Sequence, residues 1–374
     1  WGVKPWSTLF EETPTPAPVV TSNPNDHALI TFTSGSTGRP KGADRTQGLL
    51  VAQHLALSSH FPSPPETVDL QCFPVVALHN LCLGITTVLP AIDLSAPATV
   101  NPSFVLRQIG DWGVTRMSGA PAYIEQIVAH LESRGQRETR IRALGVGGAP
   151  VSAELCRRIT ERFTDCESVV IYGSTEAEPI ASVPMSKICE ASDLADDWGY
   201  LVGSPAGVTE VALVRLPSTP VILGEADIEP FRVEAGEVGE MIVRGPHVNR
   251  SYLDNPRANQ LNKLVSVDGQ VWHRTGDMAR FDGEGRIWLC GRLKDCVLWD
   301  GKSLHPLPIE ARLDRVPGIA RAALVNDDSG RRAALFVALA AGTMLGTVHP
   351  MLTSELACYG LNGVAIHVRD AIPM

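Results

Sequence analysis

The sequence predicts an α/β fold, and three observations lead to this prediction. Two short apolar segments, 144–146 and 169–172, have the length of buried strands, and each ends in a turn that contains glycine. Segments with helical spacing of apolar residues alternate with such strands along the chain. The 374 residues, 44% of them hydrophobic and 20% charged, suffice for two or more domains. We therefore expect a mixed-sheet large domain that binds its ligand at the carboxyl edge of the sheet.

The N-terminal part is expected to be a connector followed by a strand and a helix. Residues 1–26 are predicted to form the connector, because 11–25 are rich in proline and small polar residues. The folded part is expected to begin near His27 with a buried strand over 27–32. A helix is expected from about Leu49, so the segment between them is predicted to join a strand directly to a helix.

That intervening segment is rich in hydroxyls and glycines and contains one lysine. Glycine lets the backbone approach an oxyanion closely, while serine, threonine and lysine side chains add donors and charge. The spacing of Gly35, Gly38, Lys41 and Gly42 does not match the pattern G-x-x-x-x-G-K-[ST], so this segment is not a Walker A loop. A generic turn is the alternative. We expect phosphate binding by Thr33, Ser34, Gly35, Ser36, Thr37, Gly38 and Lys41.

Further elements follow from periodicity and from residues that start or stop helices. Helices are expected over 104–109 and 122–131, with a short strand at 114–118 between them. Ser152 can cap the helix that follows 147–150. Residues 68–89 contain strand-like runs broken at Pro74 and Gly84, so His79 is expected in a loop.

The second half of the chain changes character twice. The large α/β domain is predicted over 27–206, and short alternating strands separated by glycine-rich turns predict a β-rich subdomain over 207–291. A hairpin is expected at 281–289. Residues 292–374 are predicted to form a small α+β domain with one helix at 308–314.

Composition excludes several classes of protein. The net charge of −9 and the lack of a basic tract argue against a general nucleic-acid binder. The eight cysteines never occur as C-x-x-C, which suggests neither a zinc site nor a disulfide framework. No apolar run has the length of a membrane span and no signal pattern is present, so a cytoplasmic location is expected. The chain begins with Trp1 rather than Met, and we expect it to be a fragment truncated at both ends.

Four motifs in a fixed order resemble the AMP-forming adenylating superfamily of acyl-CoA synthetases, peptide-synthetase adenylation domains and luciferases. They are Ser34-Gly35-Ser36-Thr37-Gly38-Arg39-Pro40-Lys41-Gly42, Tyr172-Gly173-Ser174-Thr175-Glu176, Thr275-Gly276-Asp277 and Gly291-Arg292-Leu293-Lys294-Asp295. Local sequence is most similar to the olefin β-lactone synthetase branch and its fatty-acyl relatives. The resemblance implies a large α/β domain and a C-terminal lid, here residues 292–374, whose adenylation lysine lies beyond Met374.

The resemblance also implies roles for individual residues. Tyr172 is expected to stack on adenine against the backbone of Gly147, Gly148 and Ala149, and Asp277 to accept the ribose hydroxyls. Arg292 is expected to reach the ribose or a phosphate. A core tyrosine and a turn-forming aspartate are the structural alternatives. Gly173 and Ser174 complete the nucleotide-binding motif.

Catalysis is expected to rest on charge and positioning rather than on a nucleophile. Lys41 and Thr175 are expected to contact the phosphates, and Glu176 to hold Mg²⁺, which prefers oxygen ligands. His79 is expected beside the path by which the acyl carboxylate enters, although a histidine in an apolar segment is more often a core residue. Lys294 occupies the hinge position, with a solvated loop lysine as the alternative.

The implied activity is ATP-dependent activation of a carboxylic acid as an acyl-adenylate with release of pyrophosphate. A fatty acid or β-hydroxy fatty acid is the expected substrate, and coenzyme A, a carrier-protein thiol or an intramolecular hydroxyl closing a β-lactone is the expected acceptor. A nucleotide-binding module without full catalysis is the alternative. A kinase-like phosphotransferase is disfavoured because the phosphate loop is not Walker A.

Overall fold

The structure is a computed structural model that describes residues 20–33, 40–60, 66–93, 96–192, 197–217, 219–327 and 332–372. Every structural statement below refers to these residues. Most of the predicted connector and residues 34–38 of the phosphate loop lie outside them. No described helix is long and apolar enough to cross a membrane.

Between residues 68 and 174 the described strands and helices alternate, as the sequence predicted. The helices are α1 (Gln47–His60), α2 (Pro74–Leu83), α3 (Pro102–Asp111), α4 (Pro121–Ser133), α5 (Ala153–Arg162), α6 (Met185–Ser192), α7 (Pro256–Asn262), α8 (Pro306–Leu313) and α9 (Leu345–Cys358). The strands before residue 207 are β1 (His27–Thr33), β2 (Lys41–Thr46), β3 (Val68–Gln71), β4 (Thr86–Val88), β5 (Arg116–Gly119), β6 (Ala143–Gly147), β7 (Glu167–Ser174), β8 (Ala177–Pro184) and β9 (Tyr200–Pro205). The later strands are β10 (Glu210–Val214), β11 (Gly239–Arg244), β12 (Lys263–Val265), β13 (Val271–Phe281), β14 (Ile287–Arg292), β15 (Val297–Trp299), β16 (Lys302–Leu304), β17 (Ile319–Asn326), β18 (Ala333–Leu339) and β19 (Ala365–Arg369).

A 12-stranded mixed sheet organises the large part of the described chain. Its order is β10-β11-β13-β14-β9-β8-β7-β6-β5-β3-β4, with β12 paired to β13. The strands from β4 to β7 are parallel, and those from β7 to β10 are antiparallel. This confirms the predicted α/β class. Because β9 pairs with β14, the sheet is continuous across position 206/207, and the predicted subdomain division stays a prediction.

The apolar core of the parallel half lies between the sheet and helices α3 to α5. Ile109, Ile124 and Ile159 from these helices pack with Met117 and Leu144 from the strands, and all five are buried. Two of these helices contain the predicted helical segments. Ser152 caps α5 as expected, since its Oγ accepts a hydrogen bond from the Leu155 amide at 3.1 Å.

The prediction for the first strand was wrong in two respects. The strand is followed by a second strand rather than a helix, since β1 pairs antiparallel with β2 and Thr33 lies opposite Lys41. It is also not buried, because Phe32 is 73% exposed. The apolar run indicated burial, but β1 pairs only with β2 in the described sheet and its outer face stays open.

The placement of His79 in a loop was also wrong, because His79 lies within α2. Pro74 stands in the first turn of this helix, where its missing amide hydrogen costs nothing. Gly84 adopts a left-handed conformation with φ of 70° and ends the helix. The two residues interpreted as breaks are therefore the start and stop of one helix.

The C-terminal residues form a three-stranded sheet, β17-β18-β19, with its own apolar core. The helix predicted at 308–314 is α8, but a second helix, α9, was missed. Gly346 and Pro350 disfavour a helix there on propensity alone. Val348, Leu352 and Leu356 are nevertheless buried on one face of α9, and this tertiary packing overrides propensity.

Candidate active site

The motif at 172–176 lies on the hairpin formed by β7 and β8. Tyr172 is opposite Ala181 and Ser174 is opposite Ala177, with a register irregularity between them. A Cβ added at Gly173 would lie 3.1 Å from the carbonyl oxygen of Ala177, so a side chain there would crowd the turn. Thr175 and Glu176 therefore form the tip of the hairpin, at the carboxyl end of β7.

Three residues predicted to bind the nucleoside are in direct contact. The Tyr172 hydroxyl donates a hydrogen bond to Oδ2 of Asp277 at 2.5 Å, and Nε of Arg292 lies 2.8 Å from Oδ1 of the same carboxylate. Asp277 and Arg292 are opposite each other on β13 and β14. Burial raises the pKa of Asp277, an effect that Arg292 and the Tyr172 hydroxyl oppose. This group presents an aromatic ring and a carboxylate side by side.

Two glycines at the end of β6, Gly147 and Gly148, leave room beside the strand that carries Tyr172. A Cβ at Gly147 would lie 2.4 Å from the carbonyl oxygen of Ile171, so only glycine fits this close strand pair. Gly148 has a φ of 85°, a backbone conformation that favours glycine, and the Phe73 ring lies beside it. The backbone of 147–149 thus forms a surface with little side-chain bulk on the strand next to Tyr172.

A second cluster surrounds Glu176. The Tyr252 hydroxyl donates a hydrogen bond to Oε1 of Glu176 at 2.7 Å, and both side chains are buried. Nζ of Lys41 lies 4.8 Å from the centre of the Tyr252 ring, and Nζ of Lys263 lies 5.0 Å from it. Burial lowers the pKa of both lysines, that of Lys263 to about 7. A buried carboxylate and two ammonium groups therefore meet around one aromatic ring.

Backbone hydrogen bonds hold the β1–β2 hairpin against this cluster. The amide of Leu253 donates to the carbonyl of Gly42 at 2.9 Å, and the amide of Asn249 donates to the carbonyl of Glu176 at 2.7 Å. The Asn249 side chain also donates to the carbonyl of Asp44 at 2.6 Å. Segment 249–253 thus joins the flank of the phosphate loop to the hairpin tip. Sequence analysis missed this segment, since no chemistry-bearing motif marks it.

Arg45 fixes the hairpin tip from the other side. Its guanidinium is buried and donates to the carbonyl of Thr175 at 2.7 Å and to Oε1 of Gln53 at 2.5 Å. Nearby, burial raises the pKa of Glu178 to about 7, and the charge of Arg45 opposes this rise. Sequence analysis missed both residues, because their partners are distant in sequence.

The imidazole of His79, on α2, contacts His54 of α1. Its Nδ1 lies 3.0 Å from Nδ1 of His54, and its Nε2 is buried without a hydrogen-bond partner among the described residues. Burial, together with His54 and Arg116, lowers the pKa of His79 to about 4, so its imidazole is neutral at neutral pH. The described contacts of His79 do not include Lys41, Thr175 or Glu176.

Comparisons with known proteins identify the family of this chain. The sequence model of a family described as AMP-binding enzyme matches residues 3–253. The chain belongs to the AMP-binding enzyme family. An olefin beta-lactone synthetase of Stenotrophomonas maltophilia (strain K279a) is 35% identical over 309 residues, which are 80% of this chain and 54% of that protein. A feruloyl-CoA synthase of Amycolatopsis sp is 32% identical over 305 residues, covering 81% of this chain and 57% of that protein.

A solved structure shows the same fold. The O-succinylbenzoate coenzyme A synthetase of Bacillus subtilis, in complex with ATP and a magnesium ion, superimposes with a TM-score of 0.74 and 23% identity. The match covers 98% of this chain and 71% of that one. The chain spans about half the length of the curated relatives it matches. The predicted superfamily and fold are confirmed.

Two buried hydroxyl groups of the chain are also suited to bind a ligand. Oγ1 of Thr33, opposite Lys41, and Oγ of Ser174 are buried without a hydrogen-bond partner among the described residues. A buried hydroxyl without a partner is costly, and a ligand oxygen can satisfy it. Both hydroxyls lie on strands that lead into predicted phosphate-binding segments.

The fit of this site to magnesium rests on Glu176. Among the described residues, no three histidine, cysteine, aspartate or glutamate side chains gather as a metal site. Mg²⁺ is commonly held by one or two carboxylates together with the phosphates of the substrate and water. The single buried carboxylate of Glu176, at the tip of the β7–β8 hairpin, fits this pattern.

The predicted hinge lysine lies where the large sheet ends. Lys294 is exposed and belongs to a short 3₁₀ turn, Leu293–Asp295, that follows Arg292 directly. Beyond it the chain enters β15 and the core of the C-terminal residues. Lys294 therefore lies between two parts of the described chain that have separate apolar cores. It is close in sequence to Arg292, one of the residues predicted to bind the nucleoside.

Proposed function

We propose that this chain activates a carboxylic acid with ATP and Mg²⁺ as an acyl-adenylate, with release of pyrophosphate. One observation carries the proposal: two chemically different groups share the β7–β8 hairpin. Tyr172, with Asp277 and Arg292, suits a nucleoside, and Glu176, four residues further on, suits a metal-bound phosphate. The spacing along one hairpin matches a ligand that has a nucleoside at one end and phosphates at the other.

Asp277 would accept hydrogen bonds from the ribose hydroxyls. Its two oxygens contact Tyr172 and Arg292, and each oxygen of a carboxylate has capacity for a further hydrogen bond. The Tyr172 ring would stack on adenine, with the backbone of 147–149 as the opposite wall. Arg292, with an exposed guanidinium, can also reach the ribose or the first phosphate.

The phosphate end would be bound by Lys41, Thr175, Ser174 and the glycine loop from Thr33 to Gly38. Glu176 would hold Mg²⁺, which neutralises charge on the phosphates when it is bound. A carboxylate oxygen of the substrate forms a bond to the α-phosphorus, the bond from this phosphorus to the bridging oxygen breaks, and pyrophosphate leaves with that oxygen. The role of Lys41 is to meet the negative charge on the phosphates, and no side chain acts as a nucleophile.

The acyl group and its acceptor follow from the relatives by analogy. Relatives are named as a feruloyl-CoA synthase, an acyl-CoA ligase and an olefin beta-lactone synthetase. We infer a fatty or β-hydroxy fatty acid, with coenzyme A, a carrier-protein thiol or an intramolecular hydroxyl as acceptor. His79 would lie beside the acyl carboxylate and act as a neutral imidazole. Lys294 would be the hinge between the two half-reactions.

A cytoplasmic location belongs to the same proposal. All eight cysteines are free, and burial strongly raises the pKa of four of them, Cys72, Cys156, Cys166 and Cys290, which keeps these four as thiols. Proteins in reducing compartments keep their cysteines unpaired.

Isotope exchange between pyrophosphate and ATP tests the proposal directly. Exchange is measured with a panel of fatty, β-hydroxy fatty and aromatic acids, and with no acid as the blank. Exchange that depends on one class of acid supports adenylation. Binding of ATP without exchange for any acid would instead favour a nucleotide-binding module, and release of ADP would indicate a phosphotransferase.

A further inference from the structure

Lys263 is a charged side chain that the proposed function does not use. It is the first residue of β12, lies opposite His273 on β13, and is only 6% exposed. Its ammonium group donates a hydrogen bond to the carbonyl of Asn249 at 2.5 Å. A buried ammonium group is costly unless it is paired, so its position beside the Glu176 cluster calls for an explanation.

Among the described residues, the groups that contact Tyr252 include two amines and one carboxylate. The ammonium groups of Lys41 and Lys263 face the ring, and Glu176 supplies the one carboxylate that bonds to the Tyr252 hydroxyl. His273 adds no charge, because burial and the nearby Lys263 drive its pKa well below the ordinary value. Two amine side chains beside one carboxylate favour binding of an anion, and the favourable energy grows with the anion's charge.

The same contacts give Lys263 a geometric role. Its ammonium lies 5.0 Å from the centre of the Tyr252 ring, while the hydroxyl of that ring bonds to Glu176. Its hydrogen bond to Asn249 also engages the residue whose amide donates to the carbonyl of Glu176. Lys263 is thus connected to Glu176 in two ways, through the Tyr252 ring and through the backbone of Asn249.

We propose that Lys263 is a positioning residue of the phosphate site, which orients Glu176 through Tyr252 and Asn249 and makes the site select polyphosphate over monophosphate ligands. This inference rests on the proposed function, since it assumes that Glu176 faces the phosphates. If Lys263 had only a structural role, its substitution would change the affinities for AMP and ATP equally or would change the stability of the protein alone. A positioning role in the phosphate site predicts that its loss weakens the binding of ATP and pyrophosphate more than the binding of AMP.

Calorimetric binding of AMP, ATP and inorganic pyrophosphate, each with and without Mg²⁺ at fixed ionic strength, tests the inference. Lys263→Met should weaken ATP and pyrophosphate about 10-fold or more, the scale of one hydrogen bond to a charged group, and change AMP less than about 2-fold. Lys263→Arg keeps the charge and should recover most of the loss. Lys187→Met removes an exposed lysine on α6 and serves as the matched control.

Tyr252→Phe tests whether Lys263 orients Glu176 through the Tyr252 ring. It also tests the inference independently if Lys263→Met does not fold. It removes the hydroxyl that bonds Glu176 and keeps the ring, so it should weaken ATP and spare AMP. Equal losses for AMP and ATP in either variant, or no loss in both, would overturn the inference. If the selective loss is seen while no acid supports pyrophosphate exchange, the adenylation proposal fails and the role of Lys263 in phosphate selection stands.

Discussion

The hydroxyl of Tyr172 donates a 2.5 Å hydrogen bond to Oδ2 of Asp277, although 105 positions separate the two residues in the chain. The bond joins β7 of the parallel half of the sheet to β13 of the antiparallel half. Burial and the neighbouring Asp277 raise the pKa of Tyr172 well above the ordinary value, so the phenol keeps its proton and acts as the donor. The predicted adenine and ribose positions are therefore fixed relative to each other.

Asp277→Asn should weaken AMP and ATP to the same extent, by about 10-fold or more, because both nucleotides carry the ribose. Calorimetric titration of the two nucleotides measures this. Asp111→Asn, which changes an exposed carboxylate at the end of α3, is the control. A loss confined to ATP would place Asp277 near the phosphates instead.

Lys41→Ala should weaken ATP by about 10-fold, while the protein stays folded. Lys41 is half-buried and its described contact is with the face of the Tyr252 ring, so it contributes little to the core. Binding and thermal unfolding are measured together, with Lys187→Ala as the control. Insoluble or unfolded Lys41→Ala protein would show that the residue is structural and that the phosphate role is wrong.

Glu176→Gln should raise the Mg²⁺ concentration needed for half-maximal ATP binding by about 10-fold or more. The amide oxygen can still accept the hydrogen bond from Tyr252, but the charge that attracts a divalent ion is lost. Titration with Mg²⁺ at constant ATP measures the effect, and Glu161→Gln, an exposed residue of α5, is the control. AMP binding without metal should not change, and an unaltered Mg²⁺ requirement would remove Glu176 from the metal site.

Glu178→Gln should become more stable relative to the unchanged protein as the pH rises from about 5 to 8. Burial raises the pKa of Glu178 from 4.5 to about 7 in the folded state. Between these values the folded state binds more protons than the unfolded state, so the free energy of unfolding falls with rising pH in this window. Glutamine does not titrate, and the difference should grow by on the order of 1–3 kcal/mol.

Urea unfolding at pH 5, 6, 7 and 8 measures this difference. Glu161→Gln should show no such trend, because its carboxylate is exposed. A constant difference between Glu178→Gln and the unchanged protein across the range would show that Glu178 titrates normally.

From the sequence alone the family and the α/β class could be predicted, and the residues expected to bind the nucleoside could be proposed. Short motifs sufficed because their chemistry depends on residues that adjoin in sequence, such as Thr175 and Glu176 at the hairpin tip. The start of α5 was also predicted correctly, because the signal for it, the Ser152 cap, is local in sequence. Where a local signal had two meanings, as with Pro74 at the start of α2, the prediction was wrong.

The surroundings of these motifs became known from the folded structure. Arg45 reaches the carbonyl of Thr175 across 130 positions, and Tyr252 reaches Glu176 across 76. Periodicity cannot reveal such pairs, since each residue reads as an ordinary polar or aromatic side chain until the chain folds. The burial of Lys263 is likewise a product of packing between β12, β13 and segment 249–253. Local sequence therefore suffices to propose which groups contact the ligand, and long-range packing specifies the charge and orientation that these groups have.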